Sequence, residues 1–237
     1  MTPHRYAVYF APDPASPWWS AGCVWLGRDA LAGRAVEQPR VEALDPATFA
    51  RLTAEPRRYG WHATLKPPFR LAAGVDERTL RKRLAALAAD TDAVAVGALD
   101  AARLGRLVAL LPRQVSLALD AVAARCVIEL DDLRAPPADD ERARRAAQAS
   151  SVRERELLQR YGYPYVLDRF RFHFSLTGAL DPADREHAGL LIGAARLHFD
   201  RLNASAPLLL DRLSLFVEPE PGAPFVRAAD FPLAAGG

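Results

Sequence analysis

Eight consecutive residues, Phe170-Arg171-Phe172-His173-Phe174-Ser175-Leu176-Thr177, alternate without a break between apolar and polar side chains. A period of two belongs to a β-strand, whose successive side chains point to opposite faces. The stretch therefore predicts a half-buried strand over 169–177. One face is wholly apolar, and the other carries Arg171, His173, Ser175 and Thr177. Trp61-His62-Ala63-Thr64-Leu65-Lys66 repeats the design. Trp61, Ala63 and Leu65 are expected to face a core, and His62, Thr64 and Lys66 the other side. The chain has 15 Ser plus Thr, so a given His falls in a His-x-Thr/Ser pattern about one time in sixteen. Two such hits among five histidines are expected in about one sequence in thirty. The competing reading is two buried histidines with structural hydrogen bonds.

The rest of the chain alternates strand and helix signals. Arg5–Ala11 reads as a strand stopped by Pro12. Ser16-Pro17 and Asp45-Pro46 are helix starts, with a capping side chain and proline at the first helical position. A strand over 61–65 ends at Pro67-Pro68. A helix over 76–89 carries Leu80, Leu84 and Leu87 on one stripe. Strands follow at 94–99 and 107–111, and 112–130 fits either a helix or, in part, a strand. One Arg-rich helix is expected from Asp139 to about Tyr161, with a solvated face rather than an RNA-binding one. Asp181-Pro182 opens a helix to about Phe199, and 208–217 and 225–228 are the last strands. The unit strand, helix, strand thus occurs twice, once from each histidine motif, which predicts two halves around a shared sheet or cleft.

Composition narrows the function. The 31 basic and 29 acidic residues leave a net charge of only +2, against a strong general affinity for nucleic acid. No run approaches the roughly 18 apolar residues of a membrane span, and no leader is expected at the N-terminus. Cys23 and Cys126 stand apart, as core thiols of a reduced, cytoplasmic protein. The histidines form no metal-binding spacing, so neither a metal nor a cofactor is expected. His4, His187 and His198 read as structural.

The chemistry that suits two imidazole–hydroxyl pairs is phosphoryl transfer without a metal. One imidazole takes a proton from the attacking oxygen and the other gives one to the leaving oxygen. Thr64 and Ser175 would hydrogen-bond the non-bridging phosphate oxygens. Lys66 and Arg171 would offset their charge.

His62-Ala63-Thr64-Leu65 and His173-Phe174-Ser175-Leu176 resemble the paired His-x-Thr/Ser-hydrophobic motifs of the two-histidine phosphoesterase superfamily, which includes RNA-ligase-like bacterial cyclic phosphodiesterases. Arg5–Pro12, Trp25–Asp29, Tyr59–Lys66 and Phe170–His173 look like a bacterial branch labelled as phosphonate metabolism proteins, encoded near carbon–phosphorus lyase genes. Ser175 stands where many relatives carry Thr. The resemblance spans about 5–232. It implies an α+β fold of two pseudo-symmetric lobes, each an antiparallel sheet with helices outside, around a central cleft lined by the motif strands. It implies His62 and His173 as the acid–base pair, Thr64 and Ser175 as phosphate ligands, and no metal.

The chain is therefore expected to be one bilobal domain over 1–237 with interleaved lobes. The expected activity is that of a metal-independent phosphoric diester hydrolase of the cyclic phosphodiesterase kind. Its substrate would be a 2′,3′-cyclic nucleotide, an RNA end or a ribose cyclic phosphate. The competing function is a non-catalytic nucleotide- or RNA-binding module. Tyr6 or Tyr9, Tyr59 and Tyr165 are candidates to line the cleft and stack on a base or sugar. Arg58 is a weaker phosphate candidate, and Trp18 and Trp19 read as core. The expected partner is a small phosphorylated substrate, a nucleotide or an RNA end, bound by a monomer away from any membrane.

Overall fold

The computed structural model describes residues 4–147 and 149–234. It is an α+β protein built on one seven-stranded antiparallel sheet. Strand β1 (Arg5–Phe10) leads to α1 (Pro17–Leu26), capped by Ser16 with Pro17 at its first position. A small hairpin, β2 (Arg28–Asp29) and β3 (Arg34–Ala35), precedes α2 (Pro46–Leu52), capped by Asp45, and α3 (Ala54–Tyr59). The first motif strand is β4 (Ala63–Phe69), and α4 (Glu77–Ala89) follows it with Leu80, Leu84 and Leu87 buried. Then come β5 (Val94–Ala95), β6 (Leu99–Leu104), β7 (Leu107–Pro112) and α5 (Leu117–Ile128), so the ambiguous stretch is a helix through Cys126.

The expected long Arg-rich helix is two helices, α6 (Asp139–Ala146) and α7 (Val152–Tyr161). Ser151 starts the second one. Its hydroxyl accepts from the Glu154 N–H while the Glu154 carboxylate reaches back to the Ser151 N–H. This reciprocal cap makes a new helix start more favourable than continuation. Residue 148, between them, lies outside the described residues.

The second motif strand is β8 (Phe174–Ser175), followed by α8 (His187–Ser205), β9 (Leu209–Leu210), β10 (Arg212–Glu218) and β11 (Val226–Pro232). The sheet order is β11-β10-β1-β4-β8-β7-β6. The two motif strands are thus adjacent near the middle. The strand–helix–strand repeat is β4–α4–β5 and β8–α8–β9, and the pairing follows it. β4 pairs antiparallel with β8, and β5 with β9. Each repeat ends in a hairpin, and each hairpin joins the other repeat's side of the sheet. β7 pairs with β8, while β10 reaches β4 through β1.

Register separates the two faces. Tyr6, Val8 and Phe10 lie opposite Phe69, Lys66 and Ala63, and Ala63 lies opposite Phe174. These residues share the face covered by helices. Trp61 stacks there between Phe174 at 4.8 Å and Phe199 of α8 at 5.3 Å. A side chain at Gly22 of α1 has no room, because its Cβ would fall 2.0 Å from the Trp61 ring. Trp18, Trp19, Cys23 and Cys126 are buried. On the opposite face Tyr9 lies across from Thr64, Ala7 from Phe216 and Arg5 from Glu218.

Two expected alternations break. β4 runs through Pro67-Pro68, because beyond Ala63 no ladder to β8 needs their missing N–H groups. Its register against β1 slips between Thr64 and Lys66, leaving Leu65 as an extra residue. Lys66 therefore turns to the helix side. Near Thr177 the chain leaves the strand. The Thr177 hydroxyl is buried and accepts from the Val108 N–H at 3.0 Å, so it does not share the face of His173.

Candidate active site

Both histidines are held by the same device. His62 Nδ1 lies 2.8 Å from the Gly60 carbonyl oxygen, and His173 Nδ1 lies 2.7 Å from the Arg171 carbonyl oxygen, each two residues back. A carbonyl only accepts, so each Nδ1 carries the proton and each Nε2 of the neutral ring keeps its lone pair. Gly60 is needed for its half of this arrangement. Its φ is +82°, and a Cβ there would sit 2.5 Å from the Ala30 side chain.

The pairing of Ala63 with Phe174 sets His62 across from Ser175, and Thr64 across from His173. Each imidazole thus has one hydroxyl on its own strand and the other on the neighbouring strand. The two imidazoles are diagonal neighbours on one face, a relation that spans about 7–8 Å along the sheet. His62 Nε2 also accepts from the Thr64 hydroxyl at 3.2 Å. Its ring lies flat on Tyr9, with centroids 3.7 Å apart and planes 18° apart. Burial pushes the His62 pKa down to about 4, and the charge of His173 adds to that; burial lowers His173 as well. Both rings are neutral near pH 7, ready to accept protons, and a bound phosphate dianion would raise both.

The remaining sequence candidates separate. Tyr59 has its ring 6.4 Å from His62. Tyr165 is exposed and meets the edge of Tyr163 at 5.7 Å. Tyr6 is on the helix side, its hydroxyl donating to Glu77 at 3.1 Å, so the expectation that it lines the cleft is corrected. Lys66 is corrected in the same way. It is 2% exposed, donates to the Val127 carbonyl at 3.0 Å and lies 3.9 Å from Asp131; burial brings its pKa down to about 8. The Leu65 bulge is the cause. Arg171 is exposed, folds back on the Phe170 carbonyl at 2.6 Å and lies near Asp120. Arg58 and Arg5 both pair with buried Glu218. Burial alone would raise that carboxyl's pKa, but the two guanidiniums hold it below the usual range.

Tyr9 and Phe216 complete the surroundings of His62. Tyr6 and Tyr9 have opposite parity on one strand, so only one can share the histidine face, and register alone chose Tyr9. Tyr163 reads in the sequence only as part of a Tyr-Pro-Tyr turn; it is half-buried, with the Arg145 guanidinium 5.3 Å from its ring. His198 Nε2 donates to the Ala21 carbonyl at 3.0 Å, and His187 opens α8. Among the described residues no three His, Cys, Asp or Glu side chains group as a metal site requires. No helix among them is long and apolar enough to cross a membrane.

Two relatives extend over nearly the whole chain. Both are named ribose 1,5-bisphosphate phosphokinase PhnN. The protein from Janthinobacterium sp. (strain Marseille) is 41% identical over 236 residues, 98% of this chain and 51% of the relative. That from Laribacter hongkongensis (strain HLHK9) is 39% identical over 221 residues, 93% of this chain and 50% of the relative. The chain spans about half the length of the curated relatives it matches. Their name corrects the expectation of a phosphoric diester hydrolase, since it is the name of a kinase. The chain's lysines, Lys66 and Lys82, follow Leu65 and Arg81, so it contains no glycine–lysine phosphate loop. A family model described as "Protein of unknown function (DUF1045)" matches residues 64–226, which include the second motif and Thr64 of the first. From the β4 strand to β11, then, this chain belongs to the DUF1045 family of proteins of unknown function.

Proposed function

We propose that the chain carries out phosphoester exchange on a phosphorylated ribose, forming or opening a cyclic phosphodiester by paired-histidine acid–base catalysis, within phosphonate metabolism. The acceptor oxygen is a sugar or alcohol hydroxyl, in keeping with the transfer chemistry in the relatives' name. The observation that carries the reading is the matched latch. Two Nε2 atoms, each fixed as a proton acceptor by its own carbonyl, share one sheet face with two hydroxyls. The likeness to the two-histidine phosphoesterases supports the acid–base assignment, and the relatives' name supports the phosphorylated ribose.

In the proposed step one imidazole removes the proton of the attacking hydroxyl as its oxygen bonds to phosphorus. The other, protonated, gives its proton to the oxygen whose bond to phosphorus breaks. Thr64 and Ser175 hydrogen-bond the equatorial oxygens as charge gathers there. No metal takes part in this reading. The test is a panel of ribose phosphates, ribose cyclic phosphates, 2′,3′-cyclic nucleotides and RNA 2′,3′-cyclic ends with excess chelator, followed by phosphorus NMR. Turnover of a ribose phosphate ester that persists in chelator and is lost in His62→Ala and His173→Ala is expected. Activity that vanishes with chelator and returns with a divalent cation overturns the reading.

A further inference from the structure

Tyr9 is 1% exposed, yet its hydroxyl has no hydrogen-bond partner among the described residues. That phenol oxygen is not sealed in the core, since the buried side-chain polar atom without a partner among the described residues is Trp61 Nε1, so it stays open to a group on the histidine face. The hydroxyl of half-buried Tyr59, whose ring lies 6.4 Å from that of His62, likewise makes no hydrogen bond among the described residues. The rings of these tyrosines are already engaged. Tyr9 stacks on His62 at 3.7 Å and meets Phe216 at 5.0 Å. Tyr59 packs on Phe225 at 5.1 Å, with the Arg58 guanidinium 5.5 Å from its centroid.

Beside His62, then, the protein offers phenol hydroxyls and not aromatic faces. A nucleobase is bound chiefly by stacking on an open ring. A sugar is bound by hydrogen bonds to its hydroxyls. We propose that Tyr9 and Tyr59 form a hydroxyl-reading subsite that selects a base-free pentose phosphate over a nucleotide. This rests on the phosphate site proposed above and adds what holds the rest of the substrate.

Calorimetric titration separates the two ideas. The full chain and its Tyr9→Phe, Tyr59→Phe and His173→Ala variants are titrated with ribose 5-phosphate, inorganic phosphate and adenosine 5′-monophosphate. Ribose phosphate should bind the unaltered chain more tightly than the nucleotide. Each Tyr→Phe change should weaken ribose phosphate about 10-fold, the loss of one hydrogen bond, and leave inorganic phosphate within about 2-fold. Tyr9→Phe should keep Tm within about 4 °C, since its hydroxyl bonds no protein group among the described residues. Tighter nucleotide binding, or Tyr→Phe variants that bind ribose phosphate as the unaltered chain does, overturns the subsite and leaves the phosphate site standing. So does a fall in Tm of more than about 4 °C in Tyr9→Phe, because the hydroxyl would then hold the fold. If phosphate does not bind, or binds equally well in His173→Ala, both proposals fall.

Discussion

The two histidine motifs use one latch in two settings. His62 adjoins a seven-residue strand, stacks on Tyr9 and has its Nε2 already bonded to Thr64. His173 adjoins a two-residue strand, and the Ser175 hydroxyl makes no hydrogen bond among the described residues. The first motif is held by its surroundings, the second mainly by its own backbone carbonyl. In the proposed reaction such asymmetry suits a pair in which one group is fixed and the other adjusts as the phosphate enters. Within the large sheet the two motif strands meet through one pairing, Ala63 with Phe174, which brings the motifs together without locking them.

Removing either imidazole is the strongest way to test the equivalence of the two motifs. His62→Ala and His173→Ala should each reduce kcat/KM on the ribose phosphate ester by about 10²- to 10⁴-fold, because each deletes a proton transfer. The double variant should be little worse than the poorer single, as for groups acting as a unit. Steady-state kinetics that show additive losses would mean that the histidines act separately. His187→Ala is the silent control.

The latch itself comes next. Gly60→Ala forces an unfavourable φ and a clash with Ala30, so a loss of about 1–3 kcal/mol in chemical denaturation is expected, together with reduced turnover. Arg171→Ala keeps the carbonyl that holds His173 and should cost less than about 0.5 kcal/mol. Equal losses would show that the carbonyls are not the parts that matter.

The hydroxyls should cost less than the imidazoles. Thr64→Ala and Ser175→Ala are each expected to lower kcat/KM about 10- to 100-fold. Thr64→Ala alone should also alter the His62 titration by NMR, because of the two motif hydroxyls it is that of Thr64 that bonds an imidazole nitrogen. An equal change of the His173 signal in Ser175→Ala would make the motifs alike.

The smallest effect concerns pH and stability. Burial holds the folded pKa of His62 at about 4, below the ordinary histidine value of 6.5. Between these values the unfolded chain binds more protons than the folded one, so stability rises with pH there. The contribution is complete above about pH 6.5 and is lost as pH falls through about 4. His62→Gln should flatten that limb of the denaturation curve more than His173→Gln does. Lys66 gives the same sign between about pH 8 and the ordinary lysine value of 10.5, and Lys66→Met should remove it.

Much of the fold was legible in the sequence where a local signal had a local cause. Ser16-Pro17 and Asp45-Pro46 begin helices because cap and proline act within one turn. The break in the Arg-rich helix was written equally locally, in Ser151 and Glu154, but was hidden by the strong helical composition around it. Lys66 shows the opposite case. Alternation puts it beside His62, and nothing in Thr64-Leu65-Lys66 announces the slip against β1 that turns it away.

By itself the sequence determined the two imidazole–hydroxyl pairs and the strand–helix–strand repeat, because a period of two and a helix cap are properties of neighbouring residues. Tertiary structure decided that the motif strands are adjacent, that Tyr9 and not Tyr6 meets His62, and that Gly60 and Arg171 supply the latching carbonyls. Each of these depends on which residues pair across strands far apart in the chain. A shift of one residue there reverses every face, and no local pattern encodes it.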